Sequence, residues 1–350
     1  MPRSTRVVAG LAAALLVVAG IADDLKLDVP VWTLDGLRVV VHGEWGSGPG
    51  QFGKIDAEHA YGPTVYTIDS AGNFVILDGL GGNSRIQVFD HEGTFSTSVR
   101  MQGVAAIQAV AADGFGGVYL PTWSEITRVD LTTSRVESIG SPEPVFGEVR
   151  DLAVARLRAH PPEQPAPRTL LFLQQAFSSL DGGEMWVHLY ECETRLVRQS
   201  GLRGSQPVLD GTGTLYVIGP AVDVAEGSLV TVKRWNYQEL RVVESPFFVP
   251  VKISPHNRCY LTGVAGYPPR LYLYTYDAET GAPGYVWKYD RAGRLMGAVS
   301  LTEHLPPTPV RWMSSAARFA VDAAGDLCVS WADPEKGYSI SKLPTSQLGE

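Results

Sequence analysis

A tight-turn motif of the form Asp-x-x-Gly recurs along this chain of 350 residues and sets the spacing of its strands. The motif occurs at Asp69–Gly72, Asp113–Gly116, Asp210–Gly213 and Asp322–Gly325. Ser254 and Asn257 occupy the same two positions in a weaker copy. Aspartate caps such turns through its side chain, and glycine accepts the positive φ that they often require. The first two copies start 44 residues apart, and Asp210 and Ser254 are separated by the same interval.

Each copy is followed by a strand that is apolar on both faces. Positions five and seven after the leading residue lie on one face of a strand, and all but one are hydrocarbon side chains. They are Phe74, Val118, Leu215, Cys259 and Leu327 in one column and Ile76, Leu120, Val217, Leu261 and Val329 in the other. The position between them holds Val75, Tyr119, Tyr216, Tyr260 or Cys328. Strands covered on both faces, with a period of about 40–45 residues, indicate stacked four-stranded sheets and hence a β-propeller.

Composition agrees with a soluble, turn-rich β protein. The chain is 45% apolar and 19% charged, and its 37 glycines and 24 prolines make turns frequent. The formal net charge is −8, and no run of basic residues is longer than a pair. A nucleic-acid partner is therefore not expected.

Six blades account for the propeller, and the last blade takes strands from both ends of the chain. The first five blades span about 62–100, 104–140, 147–200, 205–245 and 249–302. Blade six combines Arg318–Val321, Asp326–Trp331 and Tyr338–Leu343 with Leu37–His42. Pairing Leu37–His42 with Tyr338–Leu343 closes the ring and removes an exposed edge. The predicted fold is an all-β, six-bladed β-propeller of four-stranded antiparallel blades, closed by an N-terminal strand that completes the C-terminal blade.

The first repeat unit also matches a known pattern. Gly48–Phe52, the turn at Asp69–Gly72 and the segment Asn83–Asp90 together resemble the NHL repeat. The wider chain, roughly 36–343, is similar to the bacterial secreted six-bladed β-propeller proteins. Blades three and five match this pattern poorly, and an insertion at 157–168 lengthens the first turn of blade three.

The N-terminus has the tripartite pattern of a secretory signal peptide. Arg3 and Arg6 precede the apolar run Val7–Ala22, which ends with small residues at Gly20 and Ala22. Sixteen apolar residues are short for a membrane span of about 20, although an uncleaved anchor is the alternative. We expect a periplasmic or secreted protein with no membrane span after cleavage. The predicted divisions are a signal peptide at 1–22, a linker at 23–35, the propeller at 36–345 and a tail at 346–350.

Cysteines and histidines offer no metal or redox motif. Cys192, Cys259 and Cys328 are widely spaced and form no CxxC pair. The register places Cys259 and Cys328 on opposite faces of neighbouring blades, so we expect buried free thiols rather than a disulfide. No two of the seven histidines lie at metal-ligand spacing. Asp69, with its neighbours, fits an Asx turn better than a calcium loop, which needs more oxygen ligands. No cofactor is expected.

The candidate binding residues lie where second strands lead into third strands. Trp123 and Trp331 fall just past the second strand of their blades, and Asp78 occupies the same place in blade one. Arg311 and Trp312 lie in a loop that enters blade six on the same rim. In propellers this face usually bears the ligand. Each of these residues also fits an ordinary packing or surface role.

Two classes of function remain after these exclusions. The first is an exported, monomeric, non-catalytic binding scaffold for a protein, peptide or glycan partner. The second is a propeller enzyme of the lyase or lactonase type, with a metal at the central channel. Such enzymes place acidic, Asn or His residues where the inner strands start. The predicted starts here are apolar, which favours the scaffold: Val65, Ile107, Leu152, Val208, Val251 and Phe319.

The signal-peptide interpretation gives the first testable prediction. N-terminal sequencing of the exported protein should begin at Asp23, because Gly20 and Ala22 supply the small residues that signal peptidase requires. Recovery of a soluble cytoplasmic form that retains Met1 would contradict this interpretation.

Overall fold

A computed structural model provides the three-dimensional structure. It describes residues 31–32, 37–54, 62–63, 65–79, 83–101, 109–122, 125–140, 149–157, 168–176, 185–210, 212–224, 227–237, 241–242, 246–251, 257–277, 283–301 and 319–343. The predicted signal peptide at 1–22 and tail at 346–350 lie outside these ranges, as do most of the predicted linker and the insertion at 158–167. No helix in the described ranges has the length and the apolar character needed to cross a membrane.

All the described elements are β-strands. In chain order they are β1 Val31–Trp32, β2 Arg38–Gly43, β3 Val65–Ile68, β4 Phe74–Asp78, β5 Arg85–Phe89, β6 Phe95–Arg100, β7 Ala111–Ala112, β8 Gly117–Pro121, β9 Ile126–Asp130, β10 Arg135–Gly140, β11 Val149–Leu157, β12 Arg168–Ala176, β13 Met185–Glu191, β14 Leu196–Arg203, β15 Ser205–Leu209, β16 Thr214–Val224, β17 Gly227–Asn236, β18 Arg241–Val242, β19 Phe247–Val251, β20 Asn257–Ala265, β21 Arg270–Asp277, β22 Pro283–Tyr289, β23 Leu295–Ser300, β24 Phe319–Val321, β25 Leu327–Asp333 and β26 Gly337–Leu343.

These strands form six antiparallel sheets arranged as a closed ring. From the inside outward, the sheets are β3 to β6, β7 to β10, β11 to β14, β15 to β19, β20 to β23, and β24, β25, β26 and β2. The innermost strands contact one another in the order β3, β7, β11, β15, β20 and β24, and β24 contacts β3. The fold is therefore the predicted six-bladed β-propeller. In addition, β1 pairs in parallel with β23 at the outer edge of blade five.

The apolar columns explain why the blades stack. Val75 and Leu77 of β4 are fully buried against blade two. Phe74 and Ile76 of the same strand point the other way and are buried against blade six. Alternate residues of one strand therefore enter two different interfaces, as the period of two requires. Burial of such side chains contributes roughly 1.5–3 kcal/mol each.

The recurrent turn is an Asx turn at the copies that begin with Asp69, Asp113 and Asp210, while at Asp322 the carboxylate accepts from the Asp326 N–H group. In the first copy, Asp69 Oδ1 accepts hydrogen bonds from the backbone N–H groups of Ala71 at 2.9 Å and Asn73 at 2.8 Å. Gly72 has a φ of 85°, which explains the glycine. The same two bonds are present at Asp90, Asp113, Asp210 and Asp290. The turn itself therefore uses these carboxylates, as the Asx interpretation predicted.

Closure of the ring follows the sequence prediction. β2 pairs antiparallel with β26, with Arg38 opposite Lys342 and His42 opposite Ser339. The turn between β5 and β6 packs directly on β2. A Cβ atom at Gly93 would lie 1.5 Å from the Val40 carbonyl oxygen, so only glycine fits at this contact. The N-terminal strand is thus held from two sides, by blade six and by blade one.

The predicted start of blade five is wrong. Residues near Val251 were expected to open blade five, but β19 pairs with β17 as the outer strand of blade four. Its burial pattern agrees, because Val249 and Val251 are fully buried whereas Phe248 is 39% exposed. Pro246 lacks an N–H group and lies between β18 and β19, the two pieces of this outer strand. The segment taken for the second strand of blade five, β20, is its innermost strand.

The three cysteines are free, as predicted. Cys259 packs at the interface of blades four and five, and Cys328 at the interface of blades six and one. Burial raises the pKa of Cys259 to about 12 and also raises the pKa of Cys328. Both thiols therefore stay protonated at neutral pH and are poor nucleophiles.

Ring closure gives the second prediction. Deleting residues 23–43 should lower the free energy of unfolding by on the order of 5 kcal/mol, because β26 loses its ladder partner and Val41 its burial. Calorimetric melting of the deleted and full mature chains measures the loss. Deleting only residues 23–30 should change the melting temperature little, since β1 and β2 remain. Equal stability of the two deletions would contradict the closure model.

Candidate functional site

The two faces of the propeller carry different connections. The turns between first and second strands, including the Asp-x-x-Gly turns of blades one, two, four and six, lie on what we call the turn face. The connections between second and third strands lie at the opposite ends of the strands, on what we call the loop face. The five predicted binding residues were placed on the loop face. Trp123, Arg311 and Trp312 lie outside the described residues, and Asp78 and Trp331 lie within them.

Asp78 was expected just past the second strand of blade one, but it is the last residue of that strand, β4. Its side chain is fully buried. One carboxylate oxygen accepts a hydrogen bond from the Gly53 N–H at 2.9 Å. The other accepts from Asn83 Nδ2 at 2.8 Å and from Arg85 Nε at 3.0 Å. Burial raises the pKa of Asp78, and these three donors act in the opposite direction.

Arg85 connects this carboxylate to the segment between β2 and blade one. Its two terminal nitrogens donate to the carbonyl oxygens of Ser47 and Gln51, both at 2.7 Å. Asn83 donates to the Gly46 carbonyl oxygen at 2.9 Å. The residues that resemble the NHL repeat therefore form a buried clamp between Asp78, Arg85 and the segment 46–53. Both oxygens of Asp78 are engaged within the chain, and a ligand contact at Asp78 stays a prediction.

Trp331 lies inside β25, two residues before its end, rather than past it. The indole is half-buried, and its Nε1 donates to Ser341 Oγ at 2.9 Å. Alternation along β25 puts Trp331 on the same face as Val329, which packs towards blade five. Asp78 lies on the face of blade one that packs against blade six. Blade six therefore separates the two predicted residues, and the structure does not bring them together.

His42 lies in the same row across blade six as Trp331. The strand register aligns Trp331, Ser339 and His42 on β25, β26 and β2. His42 Nδ1 lies 3.0 Å from Ser339 Oγ, and the imidazole is exposed. Ser339 itself is only 1% exposed, so this pair does not present a hydroxyl nucleophile to a substrate. The exposed imidazole can instead offer Nε2 to a ligand.

Two tyrosines lie on the face of blade five that packs against blade six, and sequence reasoning did not identify them as candidate site residues. The rings of Tyr260 and Tyr276 are stacked with centroids 5.4 Å apart, and their hydroxyl oxygens are 3.2 Å apart. Tyr274 continues the stack below Tyr276 and packs on Phe319 of blade six, with centroids 4.0 Å apart. Alternating tyrosines at 272, 274 and 276 are the sequence signal that could have found them. We call His42, Tyr260, Tyr276 and Trp331 the five–six rim.

A carboxyl group also lies on an innermost strand. Asp151 is half-buried on β11, and burial raises its pKa to about 7. The prediction that every inner strand starts with an apolar residue is wrong for two of the six inner strands. β11 starts at Val149 rather than Leu152, β15 at Ser205 and β20 at Asn257.

The described residues gather no metal-binding cluster. Among them, no three His, Cys, Asp or Glu side chains lie close enough together to hold one ion. The five–six rim offers aromatic rings, an imidazole and hydroxyl groups instead. This combination suits non-covalent binding, since aromatic rings supply apolar area and the tyrosine hydroxyls supply hydrogen bonds.

Comparison with known proteins assigns no family. No protein-family model matches the chain, and no curated protein matches it. Three solved structures illustrate the matches: the WD40 domain of Neurospora crassa Pan2 (11% identity, 81% of this chain and 75% of that chain, TM-score 0.44), Kuenenia stuttgartiensis hydrazine synthase (12%, 85% and 90%, 0.44) and the fucose-specific lectin from Aleuria aurantia in a mercury-derivative form (13%, 80% and 96%, 0.43). At these values they support no argument about function, and the fold rests on the sheet topology.

The buried clamp gives the third prediction. Asp78→Ala should lower the free energy of unfolding by about 3–5 kcal/mol, because it leaves the Arg85 guanidinium buried without its carboxylate. Urea unfolding at pH 7 measures this loss. The matched control is Asp90→Ala, which removes an Asx-turn carboxylate at the surface and should cost only about 1 kcal/mol. Equal costs at the two positions would show that the clamp does not stabilise the ring.

Proposed function

We propose that this protein is an exported, monomeric, non-catalytic binding scaffold whose partner, a protein, peptide or glycan, contacts the five–six rim. The observation that carries the proposal is the stacked pair Tyr260 and Tyr276 at the interface of blades five and six. The alternation of β25 directs the half-buried Trp331 towards the same interface. Tyrosine and tryptophan give large contact area at a low cost in side-chain entropy, which is why they dominate binding surfaces. The exposed imidazole of His42 adds a polar contact at the edge of the same surface.

The geometry of the rim favours recognition over chemistry. The rings are held by their neighbours, since Trp331 Nε1 is bonded to Ser341 and the tyrosine hydroxyls to each other. A surface whose side chains are already ordered loses less entropy when a partner binds. Ser339 is buried, so the rim offers no accessible nucleophile beside its imidazole.

A lyase or lactonase with a metal at the channel is the second candidate. Asp151 favours it, because a carboxyl on an innermost strand is the kind of ligand that such a site needs. Elemental analysis of the purified protein separates the two functions. We expect less than one divalent ion per chain, and one tightly bound ion per chain would instead support the enzyme.

The fourth prediction tests the rim. A glycan array and a phage-displayed peptide library, each probed with the wild-type protein, should yield binders that Trp331→Ala and Tyr276→Ala weaken at least tenfold, about 1.4 kcal/mol. Phe248→Ala is the matched control, because Phe248 is an exposed aromatic residue on the outer strand of blade four. It should leave binding unchanged. Binders that are insensitive to both rim variants would exclude the five–six rim as the site.

A further inference from the structure

An exposed phenylalanine occupies a turn that does not need it. Phe115 lies in the Asx turn between β7 and β8 and is 64% exposed. The same position, two residues after the leading aspartate, holds Ala71, Thr212 and Ala324 in the corresponding turns of blades one, four and six. In the turns of blades one, two and four the backbone N–H of this residue donates to the leading aspartate, and Thr212 also donates through its Oγ1 at 2.8 Å. Phe115 has no polar side-chain atom to add to such a turn. The aromatic ring is therefore not explained by the local structure.

A cation lies against this ring. The guanidinium carbon of Arg156, on the inner strand of blade three, lies 4.7 Å from the centroid of the Phe115 ring. Arg156 is itself exposed. Several other arginines of the described structure pair with acids, such as Arg128 with Glu137 at 2.9 Å and Arg294 with Asp290 at 2.7 Å. Within the described ranges, no carboxylate pairs with Arg156.

The surface around the ring is held firmly. Gly114, next to Phe115, packs on the turn of blade one so closely that a Cβ atom would lie 1.9 Å from Ser70 Oγ. The backbone of the Phe115 turn therefore packs tightly on blade one, while the Phe115 ring contacts the cation of blade three. An aromatic ring that stacks on an arginine in this way orients the guanidinium edge, whose N–H groups suit a carboxylate.

We propose that Phe115 and Arg156 form a second binding site, on the turn face, for an acidic peptide segment of a partner protein. Arg156 binds a carboxylate of the segment, and Phe115 packs against an apolar side chain that neighbours it. Neighbouring residues of a peptide supply both groups, whereas a uronate chain supplies carboxylates without an apolar side chain. The net charge of −8 gives an acidic peptide no general attraction to the protein, so recognition depends on Arg156 in particular.

The probe is a pool of fluorescein-labelled octapeptides in which Asp or Glu alternates with Leu or Phe. Fluorescence anisotropy with the mature protein should show binding of this pool and none of a pool with Lys or Arg at the acidic positions. Phe115→Ala and Arg156→Ala should each weaken binding at least tenfold. Tyr267→Ala is the matched control, because Tyr267 is a 91% exposed aromatic residue on the turn face of blade five. It should leave the affinity unchanged.

Fold and site effects are separable in this experiment. Phe115→Ala gives the turn a side chain that blades one and six already carry, so its melting temperature should match that of the wild type. If the melting temperature of Phe115→Ala falls, the loss of peptide binding by Arg156→Ala becomes the test of the site. Trp331→Ala should have no effect on the acidic pool, which distinguishes this site from the five–six rim. No binding of the pool at millimolar concentration, an equal loss with Tyr267→Ala, or an oligogalacturonate that binds with the same dependence on Phe115 and Arg156 would overturn the proposal.

Discussion

The pairing of β2 with β26 is the contact on which the closed ring depends. In the other five blades the four core strands are consecutive, and β1 is only added at the outer edge of blade five, but blade six needs a strand from the opposite end of the chain to reach four. Without β2, the long strand β26 would expose a row of unpaired backbone groups. The segment that follows β2 continues straight into the clamp formed by Asp78 and Arg85. One stretch of chain, residues 38–53, therefore closes the ring and fastens it to the first blade.

The clamp also shows how a buried ion pair serves a β-propeller. A buried pair of this kind contributes little net stability compared with apolar side chains of the same size, because both charges lose their hydration. The contribution of the pair is to fix the path of the backbone. Arg85 donates to two carbonyl oxygens as well as to Asp78, so it selects one path for the segment 46–53 among the many that apolar contacts would allow. We infer that the clamp fixes the register of closure more than its strength.

Sequence patterns over a few residues predicted most of the blades. The candidate site depends on contacts between residues far apart in the sequence, which such patterns do not reveal. Alternation and turn chemistry act within a few residues, so the columns after each Asp-x-x-Gly turn located the central strands and the closure. The start of blade five was predicted at the wrong strand for two reasons. Ser254 occupies the position of a turn aspartate in the sequence pattern, and Pro246 interrupts the outer strand of blade four. The burial of Asp78 depends on Gly53 and Arg85, and no spacing rule relates them. Tyr260 and Trp331 are directed towards one interface only because blades five and six are stacked.

The repeated turn separates what the fold requires from what it leaves free. The leading aspartate and the glycine are fixed by hydrogen bonds and by positive φ, and these residues recur. At the residue two positions after the aspartate the turn requires only the backbone N–H group, and the side chain varies from alanine to threonine to phenylalanine. Equivalent positions in the turns of different blades can therefore be compared with one another. A side chain such as Phe115, which departs from its equivalents and remains exposed, marks a position where the structure can gain a partner without losing stability.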